Sequence, residues 1–308
     1  TTLIHEHVFL DWSGADSIQS EEWDNDAAFQ TIIPFLEEVK TKGVTTILEC
    51  TPNYLGRNPN LLQRLSEVTG IQFLTNTGYY GAVDNKYLPQ KAFDLSAEEI
   101  SAIWTKEYQE GLDGTGIKPG FIKISVNSDS ILSNVHKKLV KAAALTRLRT
   151  GLTIVGHTGP EKPAMAQVKV LAENGVSPEA FVWTHAQGGT MKSHIELAKM
   201  GVWVSLDGMG WMAPDSTQDP NANTLEKYLD MIENFKENKL LHKLLISHDA
   251  GWYTHDPEDG QQRFKPYTSI FDRVIPGLKE RGFTEMDIEQ LLVKNPQRAY
   301  GLVVRALH

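Results

Sequence analysis

The chain has 308 residues, of which 41% are hydrophobic and 22% are charged, and this is the composition of an ordinary globular protein. Its formal net charge of −9 argues against a general binder of nucleic acid or of anionic membranes, because such proteins normally carry a basic surface, and it favours a small-molecule ligand. The single cysteine excludes an intrachain disulfide and a thiolate-rich metal site, so any metal must be held by histidine and carboxylate groups.

The compartment stays open. No apolar run approaches the roughly 20 residues that a membrane-spanning helix needs. The sequence begins at Thr1, without an initiator methionine and almost within its first predicted strand. A cytoplasmic location is slightly favoured, and removal of a leader before Thr1 would instead make this an exported protein.

In chain order, short β-branched segments alternate with amphipathic ones. The eight predicted strands are 3–10, 44–50, 71–76, 121–126, 153–157, 181–185, 202–206 and 244–248. The eight predicted helices are 26–42, 60–69, 96–111, 131–150, 161–174, 190–200, 224–238 and 269–281. Glycines at positions such as Gly43, Gly70 and Gly151 fall between a helix and the next strand, as is typical of helix C-caps.

Strict alternation of strand and helix implies parallel strands, and eight such units can close into a barrel. The sequence therefore predicts an α/β fold, a (β/α)8 TIM barrel forming a single domain over residues 1–308. An open doubly wound sheet is the structural alternative. It is disfavoured because no glycine-rich phosphate loop follows the first strand.

Two histidines share one face of the first predicted strand. Side chains alternate along a strand, so His5 and His7 point one way while Glu6 points the other. A His-x-His pair alone is weak evidence for a metal, because satisfied core histidines are common.

Three other strand ends strengthen the metal hypothesis. The apolar runs of the fifth and sixth predicted strands end in His157 and His185, and the eighth is followed by Asp249. Active sites of these barrels lie at the C-terminal ends of the strands. The five side chains therefore share one rim.

Lys123 is unusual because it lies inside the apolar fourth predicted strand, where an isolated ammonium would be costly to bury. It could be paired with a carboxylate, or it could act as a Schiff-base amine. The third possibility is that a desolvated, neutral amine reacts with CO₂, which gives a carbamate whose two oxygens can each bind one cation.

These residues stand in motifs that resemble those of the phosphotriesterase family of the amidohydrolase superfamily, over essentially the whole chain. Thr2-Leu3-Ile4-His5-Glu6-His7 is similar to the opening motif of that family, and Ile122-Lys123-Ile124 is similar to its carboxylated-lysine strand. Gly156-His157-Thr158, Thr184-His185 and Ser247-His248-Asp249 are similar to its later histidine and aspartate motifs.

The resemblance implies a site with two divalent metal ions, usually Zn²⁺, and a bridging hydroxide as the nucleophile. One metal would be held by His5, His7 and Asp249, and the other by His157 and His185. Lys123, as N6-carboxylysine, would bridge the two. Asp249 would also be the catalytic general base.

One departure from the family concerns the substrate. Members that act on phosphotriesters carry acidic residues shortly after the histidine of the sixth strand, whereas here Ala186-Gln187-Gly188-Gly189 follows His185. Tyr79 and Tyr80 resemble aromatic residues near the metals of lactonase-like members, although they could instead pack beneath a loop.

The loops 207–220 and 250–266 should form most of the substrate pocket, because loops after the strands lie over the site of such a barrel. Trp211, Trp252 and Arg263 are the candidate substrate contacts in them. Arg263 or Lys265 could hold an anionic group of the substrate, although charged residues in long loops are usually solvated.

The leading hypothesis is therefore a metal-dependent hydrolase of a carboxylic ester or lactone. The alternatives are a phosphotriester hydrolase, a mononuclear enzyme for deamination or amide hydrolysis, and a non-catalytic ligand-binding barrel that retains a metal site. We expect a small-molecule substrate, no nucleic-acid or membrane partner, and, from the resemblance, a homodimer.

Overall fold

The computed structural model describes residues 1–129, 131–255 and 264–303. The strands of this part are β1 (Thr2–Leu10), β2 (Thr46–Glu49), β3 (Gln72–Leu74), β4 (Asn76–Thr77), β5 (Phe121–Ser125), β6 (Thr153–His157), β7 (Phe181–Thr184), β8 (Trp203–Leu206), β9 (Leu244–Ile246) and β10 (Gly251–Thr254). Its helices are α1 (Asn25–Thr41), α2 (Pro59–Thr69), α3 (Gln90–Asp94), α4 (Ala97–Glu110), α5 (Asn134–Thr150), α6 (Glu161–Glu173), α7 (Met191–Lys199), α8 (Leu225–Glu237), α9 (Ile275–Glu280), α10 (Glu285–Glu289) and α11 (Asn295–Tyr300). A π-helical segment, Ile270–Val274, precedes α9, and a second one, Gln290–Lys294, joins α10 to α11.

The strands form two parallel sheets with the orders β10-β1-β2-β3 and β4-β5-β6-β7-β8-β9. Apart from β10, which pairs with β1, the neighbours within each sheet are consecutive strands of the chain, which is the arrangement of a (β/α)8 barrel and confirms the predicted fold class. The third predicted strand is divided into β3 and β4, because the ladder to β2 ends at Leu74 and the ladder to β5 begins at Asn76.

The barrel closes between β1 and the chain segment that joins β9 to β10, and we call this contact the seam. Strand β10, which the sequence analysis missed, pairs with β1 through His7 and Gly251. Beside β9 the bonds to β1 are irregular. The backbone N–H of Asp249 donates to the carbonyl of His5 at 3.0 Å, and that of His7 donates to the carbonyl of Ala250 at 2.8 Å.

Apolar side chains fill the barrel interior below the strand ends. They come from alternate positions of the strands and are buried together: Ile4, Leu48, Phe121, Val155, Val182, Trp203 and Leu245. Burial of such a side chain contributes about 1.5–3 kcal/mol, so this layer fixes the strands on which the polar residues above it depend.

Seven of the eight predicted helices correspond to α1, α2 and α4 to α8 and begin and end within three residues of their predicted bounds. The eighth, 269–281, is a π-helical segment followed by α9, and α3, α10 and α11 were not predicted. Capping residues fix several of the helix ends. The side chain of Ser96 accepts a hydrogen bond from Glu99 in a capping box at the start of α4. Gly70 and Gly151 adopt the left-handed conformation after α2 and α5. Within the described ranges, no helix combines the length and the apolar character that crossing a membrane requires.

Candidate metal centre

Six side chains converge at the C-terminal rim of the barrel. The Nε2 atom of His7 lies 3.2 Å from Oδ1 of Asp249, and the Nζ atom of Lys123 lies 3.1 Å from Nε2 of His5. On the opposite side, Nε2 of His185 lies 2.8 Å from Nδ1 of His157. The structure thus brings together every residue that the sequence analysis assigned to the metals: His5, His7, Lys123, His157, His185 and Asp249.

Two of these residues have unusual backbone conformations. His185, directly after β7, has a φ of 55°, and Asp249, in the seam, has a φ of 54°. A residue with a Cβ atom pays on the order of 1–2 kcal/mol in this left-handed region. Both positions are held by hydrogen bonds, since His185 N–H donates to Asp207 and Asp249 N–H donates to His5. Strain of this kind is concentrated at functional sites.

Asp207, directly after β8, supports two of the histidines. Its Oδ2 accepts from Nδ1 of His5 at 2.9 Å, and its Oδ1 lies 2.8 Å from Nδ1 of His185. The hydroxyl of Ser205 and the backbone N–H of His185 also donate to it. Since both Nδ1 atoms are occupied, the Nε2 atoms of the two rings face the centre of the site. A carboxylate behind a ligating histidine sets its tautomer in this way.

A second chain of contacts supports His7. The Nδ1 atom of His7 lies 2.8 Å from Oγ1 of Thr51, and the buried carboxylate of Glu49 accepts from the backbone N–H groups of Val8 and Thr51. Burial raises the pKa of Glu49 to about 8, and its hydrogen bonds with Thr51 and Val8 oppose that change.

The electrostatic environment suits neutral imidazole ligands. Burial, reinforced by the Lys123 ammonium, lowers the pKa of His5 to about 4. Burial and the neighbouring His185 hold the pKa of His157 well below its usual range. For His185 burial acts in the same direction, but the carboxylates of Asp207 and Asp249 outweigh it and raise the pKa. Metal ligation requires a deprotonated ring nitrogen, which His5 and His157 offer at neutral pH.

Lys123 is buried, with 1% of its surface exposed. Among the described residues, the hydrogen-bond partner of its Nζ atom is Nε2 of His5, and no carboxylate lies within 4.0 Å of it. The predicted alternative of an ion pair between Lys123 and a carboxylate is therefore wrong as far as the described residues are concerned. Its ammonium instead lowers the pKa values of His5 and His157.

The donor set fits divalent cations. Ligand atoms of His5, His7 and Asp249 all lie within 4.8 Å of one another, as a shared metal requires. The set of His5, His185 and Asp207 is equally compact. We do not interpret it as a metal site, because Asp207 meets the Nδ1 atoms that orient the two rings. The second position is better matched by His157 and His185, whose ring nitrogens already converge.

The two predicted tyrosines face opposite directions. The hydroxyl of Tyr80 lies 3.1 Å from Nε2 of His157, so this side chain borders the site. Tyr79 is 2% exposed, and its ring packs against Trp104 and Tyr54. The assignment of Tyr79 to the substrate is therefore corrected to a place in the core, because adjacent residues of an extended segment point to opposite sides.

Aromatic rings form a wall beside the ligands. Trp252 lies edge-on to His7, with ring centroids 6.1 Å apart, and also contacts Trp211 and Trp12. Trp12 in turn packs against Tyr87, which contacts Tyr80. We call Trp12, Tyr80, Tyr87, Trp211 and Trp252 the aromatic wall. The indole N–H of Trp211 also donates to the carbonyl of Asp249 at 2.6 Å, which attaches the wall to the site.

The cations of the second long loop are only partly placed. Lys265 lies with its Nζ atom 4.1 Å from the ring centroid of Trp211, at the outer side of the aromatic wall. Arg263, the other candidate for an anionic substrate group, lies outside the described residues.

Several histidines outside the ligand set are structural. His248 is fully buried on the outer side of the seam, as strand alternation predicts. His136 and His194 are buried as well, with exposed fractions of 3% and 0%. Each ring nitrogen Nε2 bonds to a backbone carbonyl, of Gly81 for His136 and of Ala186 for His194.

The sequence analysis missed the supporting residues Asp207, Thr51 and Glu49 and the wall residues Trp12 and Tyr87. A usable signal existed for Asp207, Thr51 and Trp12, since each lies within two residues of the end of a strand. Glu49 is the last residue of β2, but an acidic strand end alone does not distinguish a support from a ligand.

Comparison with known proteins gives a consistent result. The family model described as "Phosphotriesterase family" matches residues 1–300. The chain is 26% identical to the phosphotriesterase homology protein of Escherichia coli over 97% of both chains. It is 28% identical to the aryldialkylphosphatase of Saccharolobus solfataricus, over 97% of this chain and 94% of that one. A mutant of the PTE-like lactonase of Deinococcus radiodurans superposes with a TM-score of 0.84 at 28% identity, covering 97% of this chain and 95% of that one.

Proposed function

The chain belongs to the phosphotriesterase family, and from this premise we propose that it is a metal-dependent hydrolase of carboxylic esters or lactones that uses two Zn²⁺ ions. The observation that carries the proposal is the convergence of four histidines, one aspartate and a buried lysine at one rim of the barrel. His5, His7 and Asp249 would hold one ion, His157 and His185 would hold the other, and Lys123, as a carbamate, would supply oxygen to both.

When bound, such ions lower the pKa of a water molecule and polarise the carbonyl oxygen of a substrate. Asp249 would accept the proton of the attacking water. Its carboxylate is ionised at neutral pH, because His185, His7 and His5 together outweigh the effect of burial and lower its pKa. The new bond joins the water oxygen to the carbonyl carbon, the bond to the leaving oxygen breaks, and the proton passes from Asp249 to that oxygen.

Tyr80 and the other residues of the aromatic wall position the substrate. The Tyr80 hydroxyl remains protonated, since burial raises its pKa, so it can donate a hydrogen bond to an ester oxygen. Trp211 and Trp252 offer apolar surface for the acyl or alcohol group and exclude bulk water.

Two observations favour an ester over a phosphotriester. The turn after His185, Ala186–Gly188, contains no acidic residue that could relay a proton. The likeness to a PTE-like lactonase, at a TM-score of 0.84, points in the same direction. The 28% identity to an aryldialkylphosphatase keeps phosphotriester hydrolysis as the second candidate.

A substrate panel tests the proposal. Zinc-loaded protein is assayed with lactones, aryl esters and organophosphates, and we expect turnover of the first two classes. Asp249→Asn should lower kcat by at least about 100-fold, since general acid–base groups contribute 10²–10⁴-fold. Asp26→Asn is the matched control, because this carboxylate is 84% exposed on α1 and pairs with Arg64, and it should leave kcat unchanged.

Turnover of organophosphates alone would overturn the ester and lactone assignment and support the second candidate. Protein that binds no divalent metal would overturn the metal-dependent reading. A single metal per chain, unaffected by Lys123→Ala, would contradict the bridging role of Lys123.

A further inference from the structure

Glu6, the middle residue of the His-Glu-His motif, is fully buried on the side of β1 that faces away from the ligands. In the described ranges, no lysine or arginine lies within 4.0 Å of its carboxylate. The titratable side chain that contacts this carboxylate is His248. A buried carboxylate without a cation must be stabilised by hydrogen bonds. Glu6 accepts four, and all come from the four-residue segment 247–250.

The donors lie on both sides of Asp249. Oε1 of Glu6 accepts from the hydroxyl of Ser247 at 2.7 Å, from the backbone N–H of His248 at 3.1 Å and from Nδ1 of His248 at 2.8 Å. Oε2 accepts from the backbone N–H of Ala250 at 2.9 Å. The residue before Asp249 and the residue after it are therefore held by one carboxylate.

These bonds replace a regular ladder at the seam. In a parallel pair the backbone N–H groups of one strand donate to carbonyls of its neighbour. Here only the N–H of Asp249 itself reaches a β1 carbonyl, that of His5, while the N–H groups of His248 and Ala250 turn to Glu6. This pattern accommodates the left-handed backbone of Asp249, whose side chain then points to His5 and His7.

We propose that Glu6 is a positioning residue of the metal centre: it fixes the backbone of Asp249 and thereby assembles the position formed by His5, His7 and Asp249, without contacting the ion. The inference rests on the proposed function, because it presupposes that these residues bind metal. Glu6 has no such role at the position formed by His157 and His185, because these residues lie at the end of β6 and directly after β7.

The ring of His248 shows why a carboxylate is needed. Its Nε2 atom accepts a hydrogen bond from the backbone N–H of Ile270 at 3.2 Å, so its proton is on Nδ1 and is donated to Glu6. All four groups that face Glu6 are thus donors. A glutamine at this position has one acceptor oxygen and one NH₂ group. In either orientation of the glutamine side chain, its NH₂ group faces at least one donor. In one orientation this donor is the backbone N–H of Ala250, which cannot rotate away.

The experiment measures metal content and affinity. Wild type, Glu6→Gln, Asp249→Asn and the double variant are loaded with Zn²⁺, dialysed against buffered free Zn²⁺ and analysed by mass spectrometry. We expect two ions per chain in the wild type and one in each variant. In Glu6→Gln, competition with a chelator should show a Zn²⁺ affinity 10- to 100-fold lower at the position formed by His5, His7 and Asp249. This is the range found for residues that orient metal ligands without binding the metal.

The double variant separates positioning from general support of the fold. If Glu6 acts through Asp249, adding Glu6→Gln to Asp249→Asn changes the affinity of either position by less than about twofold, since the two substitutions share one effect. Glu6→Asp, which keeps the charge on a shorter side chain, should recover part of the lost affinity. Val39→Ala, in the apolar core of α1, is the structural control: it should lower the melting temperature and keep both ions.

The outcomes are distinguishable. Wild-type protein without bound metal overturns the proposed function itself. Two ions of wild-type affinity in Glu6→Gln overturn the role of Glu6 and leave the proposed function intact. Loss of both ions from the double variant, with one retained in each single variant, shows independent effects and also overturns the inference.

Discussion

Asp207 allows a prediction about which nitrogen of the His5 ring carries the proton. Each of its oxygens accepts two hydrogen bonds: Oδ1 from the backbone N–H and Nδ1 of His185, and Oδ2 from Nδ1 of His5 and the hydroxyl of Ser205. In Asp207→Asn one oxygen becomes an NH₂ group. The backbone N–H of His185 cannot become an acceptor, so the remaining oxygen must stay at that end and the NH₂ group must face His5 and Ser205.

Both of those groups can adapt, but at a cost. The hydroxyl of Ser205 can rotate and accept. His5 can accept at Nδ1 only if its proton moves to Nε2, and a protonated Nε2 cannot bind a metal. All four hydrogen bonds to Asp207 are charge-assisted and worth about 1.5–3 kcal/mol each, and in Asp207→Asn they become neutral ones worth about 1 kcal/mol. We therefore expect the unfolding free energy to fall by about 2–8 kcal/mol and the affinity for the ion at His5, His7 and Asp249 to fall about 10- to 100-fold.

Nitrogen-15 NMR of the histidine rings in metal-free protein measures the tautomer directly. In the wild type the proton of His5 should be on Nδ1, and in Asp207→Asn on Nε2, while the tautomer of His185 stays the same. Ser205→Ala is the control, because it removes one donor to Asp207 and leaves the acceptor for His5 in place. An unchanged His5 tautomer together with wild-type affinity for both ions would refute the reasoning.

Three further predictions concern other parts of the site. Bicarbonate should raise the metal content of wild-type protein and leave that of Lys123→Met unchanged, because only a lysine can form the carbamate; mass spectrometry of bound metal checks this, and an equal response of the two proteins would contradict it. Tyr80→Phe should lower kcat/KM for esters about 10-fold, the equivalent of one hydrogen bond, and a steady-state assay that shows no change would remove Tyr80 from substrate binding. In metal-free protein, Glu49→Gln should gain stability relative to the wild type as the pH rises from 4.5 to 8, because the raised pKa of Glu49 means that the folded state loses stability when this group ionises; the difference is at most about 5 kcal/mol, and urea titrations with a pH-independent difference would contradict it.

The proposed ligand residues could be located because each interrupts, ends or closely follows an apolar strand. His157 follows four residues of β6 that are buried, and Lys123 is the central residue of β5. A polar side chain in such a place has no ordinary role in a barrel core. The same reasoning located the aromatic residues Trp211 and Trp252, since the loops that carry them follow strand ends.

Other features depend on contacts that no local pattern records. Strand β10 was missed because Gly251 and Trp252 have positive φ values and follow directly on Asp249, so that the segment reads as a loop. His136 and His194 lie on α5 and α7, and a position on a helix does not by itself show whether another segment covers the side chain. Both are buried because a loop carbonyl, supplied by Gly81 or Ala186, lies within reach of the ring.

The supporting carboxylates are the hardest part of the site to predict, for a physical reason. A ligand must point inward at a strand end, but its support can come from any strand that reaches its outer side. Asp207 supports His5 and His185 from β8, Glu49 reaches His7 through Thr51 from β2, and Glu6 holds the Asp249 segment from β1 itself. Only the closed barrel reveals which support belongs to which ligand.

Asp207 and Asp249 place negative charge at a buried rim, where charge is costly unless it is balanced. The histidines lower the pKa values of Asp207 and Asp249 in spite of burial, so both stay ionised at neutral pH. Lys123 alone cannot balance this charge. The remainder must be met by protons on groups such as His185, whose pKa is raised, or by cations. Protons and divalent cations therefore compete for the same rim, and metal binding should release protons and weaken as the pH falls.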